Sequence, residues 1–205
     1  MKKTQLVNPV LDEVRNFSLR YASPLAWVEV VMADFDAFLL DHASAEKKAS
    51  GMAISLLSHY PDRKDLVAAM AELAVEELVH FREVIKLIQG RGLELLADAP
   101  DDYVNRFRRL MRKGSDVYML DRLLIASIVE ARGHERFGLI ADALPEGNLK
   151  KFYLSITASE ARHHILFVDL ALKYFSLEEV ASRLDELLDE EATIMASLPI
   201  KAALH

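Results

Sequence analysis

Glu77-Leu78-Val79-His80 and Glu160-Ala161-Arg162-His163 are two copies of one short word, Glu-x-x-His, and a lone glutamate precedes each at nearly the same distance. Glu46 stands 31 residues before Glu77, and Glu130 stands 30 before Glu160. One such word arises readily by chance; two with matched partners are harder to dismiss. The turns sharpen the pattern. Glu46 and Glu77 lie almost symmetrically about Tyr60-Pro61-Asp62, and Glu130 and Glu160 lie symmetrically about Pro145. Proline cannot continue a helix interior, so each marks a hairpin between two helices. Arms of about 15 residues, at ~1.5 Å rise each, place the two carboxylates of a hairpin at equal depth, roughly 22 Å from its turn. Two such hairpins packed together bring six side chains to one level. That is the ligand set of a carboxylate-bridged two-metal site inside a four-helix bundle.

The rest of the chain agrees with a helical reading. With 205 residues, 52% apolar content and only seven glycines, a single domain over residues 1–205 with ample core is expected. Helix formers dominate, and alternating strand patterns are hard to find. A secretory leader and an uninterrupted apolar run of about 18 residues are both missing from the sequence, so a soluble cytoplasmic protein without membrane contact is expected. The absence of cysteine excludes disulfides, thiolate zinc sites and a built-in iron–sulfur cluster. Electrons for any redox chemistry would then come from an external electron-transfer protein. A net charge of −7 argues against a generally cationic nucleic-acid binder but leaves room for a local basic patch.

Ser23-Pro24 reads as a helix entry, and the pattern breaks near 32–36. Bundle helices are expected over about 34–60, 62–89, 116–143 and 148–174, with Asp62 as a candidate N-cap and Gly90-Arg91-Gly92 as a stop. Ser176-Leu177-Glu178-Glu179 is a capping box that opens an extra C-terminal helix over about 177–197. Residues 91–115, with a short helix at 101–111, are long enough to cross the bundle, which gives ferritin-like topology with one long crossover.

The six residues sit in mid-seam. Leu66, Met70, Leu73, Glu77, His80, Val84 and Leu87 recur at three- and four-residue steps, as do Tyr153, Ile156, Glu160, His163, Phe167 and Leu170. Glu46 and Glu130 occupy equivalent stripes in their own helices. Four carboxylates buried together cost several kcal/mol each in lost hydration, so two divalent cations are needed to neutralise them. Hard oxygen ligands with two imidazoles suit iron or manganese better than zinc or calcium. Glu76 and His164 are the register rivals; Glu77 and Glu160 keep the three-residue step. His42 and His134 lie one turn from Glu46 and Glu130. They read either as partners that orient those carboxylates or as satisfied interior histidines. Asp169 and Glu76 are further candidates to hold a ligand imidazole.

Asp41-His42-Ala43-Ser44-Ala45-Glu46-Lys47-Lys48-Ala49, Glu76-Glu77-Leu78-Val79-His80-Phe81, Ile128-Val129-Glu130-Ala131-Arg132 with Glu135-Arg136-Phe137, and Ser159-Glu160-Ala161-Arg162-His163-His164 resemble the bacterial tRNA 2-methylthio-isopentenyladenosine hydroxylases. These are ferritin-like, non-haem diiron enzymes, and the resemblance runs from about residue 23 to 174. It implies two iron ions held by Glu46, Glu77, His80, Glu130, Glu160 and His163, with O2 as co-substrate. The reaction implied is hydroxylation of the isopentenyl side chain on the adenosine 3′ of the anticodon, with the tRNA anticodon stem-loop as partner. For tRNA contact the densest basic run is Arg106, Arg108, Arg109, Arg112 and Lys113, with Phe107 interleaved; Lys2, Lys3, Lys47, Lys48, Arg63 and Lys64 are scattered alternatives. A solvated face on the crossover is the plainer reading of that run. Two alternatives stay open: a rubrerythrin-type diiron oxidase or peroxidase without a tRNA substrate, and a metal-free helical interaction protein.

Overall fold

The computed structural model describes residues 8–205. Among these it shows eight α-helices and no strand: α1 Pro9–Arg15, α2 Leu25–Ala33, α3 Phe35–His59, α4 Lys64–Gly90, α5 Asp102–Leu110, α6 Ser115–Ala143, α7 Asn148–Tyr174 and α8 Leu177–Ser197. Two compact units share them. One holds residues up to Ala22 with Tyr103–His134 and Ala158–Leu198; the other holds Ser23–Asp102, Glu135–Thr157 and Pro199–His205.

In the second of these units α3 and α4 form a hairpin. Asp34 ends α2 and caps α3, its side chain accepting from the Ala37 N–H at 3.2 Å, which is the break expected near residues 32–36. Pro61 stops α3. Asp62, the expected cap of α4, falls in the turn instead, and Arg63 takes the cap position with no side-chain bond. At the far end Gly92, with φ of 75°, lets the Leu93 N–H reach back to the Ile88 carbonyl at 3.1 Å, a closure that favours a residue without Cβ. Ser50 Oγ donates to the Ala74 carbonyl at 2.8 Å and knits the arms together. Ser23 does not cap α2. Its N–H and hydroxyl donate to Glu135 at 2.7 and 2.8 Å, because that carboxylate offers two acceptors where the helix offers none.

The core of this unit gathers Trp27, Val31, Phe38, Leu39, Val84, Ile88, Phe137, Ile140 and Tyr153. Burying side chains of this size stabilises by about 1.5–3 kcal/mol each. Residues 199–205 close over it. Trp27 Nε1 donates to the Ala203 carbonyl at 3.0 Å, the Leu204 N–H donates to Asp41 at 2.6 Å, and Arg136 donates to the Leu204 carbonyl at 2.6 Å. The Arg136 guanidinium also stacks 4.5 Å above the Trp27 ring.

The other unit contains α1, α5, α8 and parts of α6 and α7, tied by two buried charge clusters. Arg132, fully buried in α6, donates twice to Glu191 of α8 at 2.9 and 2.7 Å, and Tyr103 of α5 donates to the same oxygen at 3.1 Å. Asp121 receives Arg112 at 2.7 Å and Arg183 at 2.9 Å, and these two guanidinium groups hold its carboxyl below the usual range although burial opposes them. The expected capping box is present, with Ser176 and Glu179 satisfying each other's backbone. No helix of the described residues is long and apolar enough to cross a membrane.

Removing one member of a buried pair strands the other. Arg132→Met is therefore expected to lower unfolding stability by about 3–5 kcal/mol in urea titrations, and Arg132→Met with Glu191→Leu to recover most of the loss. Equal stability of the single variant and the parent would contradict this account.

Candidate metal centre

Each unit holds one triad, and each triad is buried. In the α3–α4 hairpin Glu46, Glu77 and His80 are 4%, 1% and 9% exposed, and each offers a ligand atom within 4.8 Å of the other two. His80 Nδ1 lies 3.0 Å from Glu77 Oε2 and 3.6 Å from Glu46 Oε2, so this nitrogen faces the carboxylates. The three-residue step on α4 achieves this, since positions i and i+3 share a helix face.

In the other unit Glu130 on α6 and Glu160 and His163 on α7 repeat the arrangement, again with ligand atoms within 4.8 Å of one another. His163 Nδ1 lies 3.7 Å from Glu130 Oε2. Gly133, one turn beyond Glu130, lies against this triad: a Cβ built there would stand 3.4 Å from Glu160 Oε2, an ordinary van der Waals contact. Buried oxygen donors with one imidazole in each set fit a hard divalent cation.

His42 is fully buried, and its Nε2 lies 2.6 Å from Glu46 Oε1. His134 differs: it is exposed. It follows Glu130 by four residues, whereas His42 precedes Glu46 by four, so the two are not equivalent, and the position matching His42 is Ala126. Glu76 Oε1 stands 3.9 Å from His80 Nε2, while Asp169 is bound to Arg15 at 2.7 Å. The sequence places Tyr153 in the apolar seam of α7 but gives it no role at the site. Its hydroxyl lies 3.3 Å from His42 Nδ1, and its place seven residues before Glu160, on the same helix face, is the clue that would have flagged it.

Electrostatics follow from the packing. Burial would raise the Glu46 carboxyl, yet hydrogen bonds from His42 and His80 hold it well below the ordinary range. Burial would lower the His80 imidazole, but Glu46 and Glu77 outweigh it and push it from 6.5 up to about 9. A raised histidine contributes stability that is complete below its unfolded value and lost as pH climbs through the folded one. In protein stripped of metal, the melting temperature is thus expected to fall between pH 6.5 and about 9. Metal must displace that proton, so calorimetric affinity for a divalent ion should rise over the same interval. A flat profile in both measurements would contradict the proposed charge balance.

The basic run divides. Arg112 is committed to Asp121, and Arg106 donates to Ser197 at 2.7 Å. Arg108, Arg109 and Lys113 are exposed. Lys47 pairs with Asp98 at 2.9 Å, and Lys48 donates to the Ala99 carbonyl at 3.0 Å, so both pin the start of the crossover to α3. Lys2 and Lys3 lie outside the described residues.

Comparison with known proteins then places these features. The family described as tRNA-(MS[2]IO[6]A)-hydroxylase (MiaE) matches residues 9–205. A tRNA 2-(methylsulfanyl)-N(6)-isopentenyladenosine(37) hydroxylase of Pseudomonas putida is 37% identical over 159 residues, covering 78% of this chain and 77% of that one. A protein of the same name from Salmonella typhimurium is 31% identical over 137 residues, covering 67% of this chain and 50% of the other. Among solved structures, a Synechococcus protein described as having aldehyde deformylating oxygenase activity superposes with a TM-score of 0.86 at 34% identity, covering 91% of this chain and 94% of that one. The fold class is accordingly all-α and ferritin-like. A family match over residues 9–205, together with 37% identity over most of a hydroxylase of that name, means that this chain belongs to the tRNA-(MS[2]IO[6]A)-hydroxylase (MiaE) family.

Proposed function

We propose that this protein is an oxygen-dependent tRNA-modifying monooxygenase that hydroxylates the isopentenyl side chain of the hypermodified adenosine 3′ of the anticodon. The observation that carries the reading is the pair of buried triads, Glu46, Glu77, His80 and Glu130, Glu160, His163, in a member of this family. Four buried carboxylates need a compensating charge near +4, which two divalent ions supply with one imidazole apiece. Two iron ions held there would activate O2 for insertion of one oxygen atom into a C–H bond of the prenyl group, manganese being the other metal this donor set accepts.

The chain's own residues do the remaining work. The carboxylates would hold and neutralise the ions, His80 and His163 present Nδ1 toward them, and His42 hydrogen-bonds Glu46. Buried apolar neighbours such as Leu73, Ala74 and Phe167 keep water from the triads. Oxygen insertion with release of water consumes two electrons and two protons per turnover. With no cysteine to hold an iron–sulfur cluster, an external electron-transfer protein supplies the electrons.

The structural likeness to the Synechococcus oxygenase favours a second reading, a diiron oxygenase acting on an aldehyde instead of tRNA. Nucleoside analysis of tRNA from cells with and without the gene separates the two. The hydroxylated nucleoside should disappear on deletion and return with the parent gene. It should not return with Glu130→Ala or His163→Ala, whose metal content should also drop. Unchanged nucleoside after deletion, in cells with no second copy, would rule out the tRNA substrate.

The acidic chain meets tRNA phosphates through Arg108, Arg109 and Lys113, with Arg106 and Arg112 flanking. Changing each of the three to Ala should lower the slope of log affinity against log salt by about 1 per residue. An unchanged salt slope would move the docking surface elsewhere.

A further inference from the structure

One buried carboxylate, Asp121 of α6, fixes the turn that follows α5. Asp121 is 0% exposed. It accepts from the Arg112 backbone N–H at 2.7 Å and from the Arg112 guanidinium at 2.7 and 3.1 Å. It also accepts from Arg183 Nε at 2.9 Å and Arg183 Nη2 at 3.0 Å. Arg183 donates in addition to the Leu110 carbonyl at 2.9 Å, so the same guanidinium closes the last turn of α5. Residues 110 and 112 are therefore held through their backbones as well as through a side chain.

The flanks are constrained too. Tyr103 and Phe107, one helical turn apart on α5, are both 0% exposed, with ring centroids 5.2 Å apart. Arg106 donates to Ser197 Oγ at 2.7 Å. On the far side Gly114 has φ of 122°, which residues with a side chain rarely adopt, and a Cβ there would stand 3.3 Å from Val117 Cγ2. Arg108, Arg109 and Lys113 lie between these anchors and are exposed. On a loose segment such side chains would lose chain freedom on meeting a phosphate, which offsets part of the attraction. Here the backbone is ordered in advance.

We infer that Asp121 is the positioning residue of a preordered phosphate-binding turn, residues 108–113, and that it presents Arg108, Arg109 and Lys113 to RNA phosphates from a fixed backbone. The inference rests on the tRNA docking surface proposed above and adds what orders it. The sign of one charge change separates positioning from plain electrostatics. Removing an acid bonded to residue 112 strengthens binding of a polyanion if charge alone matters. It weakens binding if the acid holds the turn in place.

Binding of the full-length protein to a synthetic anticodon stem-loop RNA, followed by fluorescence anisotropy over a salt series, makes the test. Asp121→Asn should weaken affinity about 10-fold at fixed salt. Its slope of log affinity against log salt should match wild type, because the same phosphates are met. Amide hydrogen exchange at residues 110–114 should quicken in the RNA-free variant. Gly114→Ala, which alters no charge, should weaken affinity about 3-fold. A merely structural role would cut the fraction of protein that binds and leave the affinity of folded molecules at the wild-type value. That result, or tighter binding by Asp121→Asn, would overturn the inference. If Asp121→Asn does not fold, Gly114→Ala decides, and wild-type affinity in that variant overturns it. Joint replacement of Arg108, Arg109 and Lys113 by Ala distinguishes this inference from the docking reading beneath it. A lowered salt slope there, with undiminished affinity in Asp121→Asn, keeps the surface and rejects the positioning role. An unchanged slope there rejects both.

Discussion

Negative charge buried in a helical interior is the constraint that organises this molecule. Glu46, Glu77, Glu130 and Glu160 are each at most 5% exposed, and a carboxylate taken from water costs several kcal/mol unless something answers it. Helix propensity cannot supply the answer, and apolar packing makes the cost worse. The spacing of the hairpins and the step from each Glu to its His both become intelligible as provision for a cation. Without that requirement a leucine at any of these positions would pack better.

The same unit that holds Glu130 shows how the chain treats charge when no metal is intended. Arg132 answers Glu191, and Arg112 with Arg183 answers Asp121, each through direct bonds between 2.7 and 3.1 Å. Every one of those acids is matched by guanidinium. The acids of the triads stand beside imidazoles, Glu46 and Glu77 beside His80 and Glu130 beside His163.

Much of this was readable from the chain because it is local. Proline turns, the capping box at Ser176 and the Glu-x-x-His words are patterns within a few residues, and the helices begin and end within about two residues of where those patterns put them. What escaped the sequence is long-range. Arg132 and Glu191 are 59 positions apart, Asp121 and Arg183 are 62 apart, and nothing in either neighbourhood names the other. His42 and His134 looked alike in spacing, yet only His42 turns inward, since a four-residue step can fall on either side of its reference. Cap positions at Asp62 and Ser23 failed for a smaller reason: a competing turn and a competing carboxylate were one residue or one helix away.

The Arg132–Glu191 bond also bears on how the chain is made. Synthesis delivers Tyr103 and Arg132 well before Glu191, so α5 and α6 leave the ribosome with a guanidinium meant for the interior and no acid to meet it. Until α8 follows, Arg132 lacks the acid that answers it in the fold. α8 therefore acts as the latch, and the Arg132–Glu191 bond closes only once α8 has been translated.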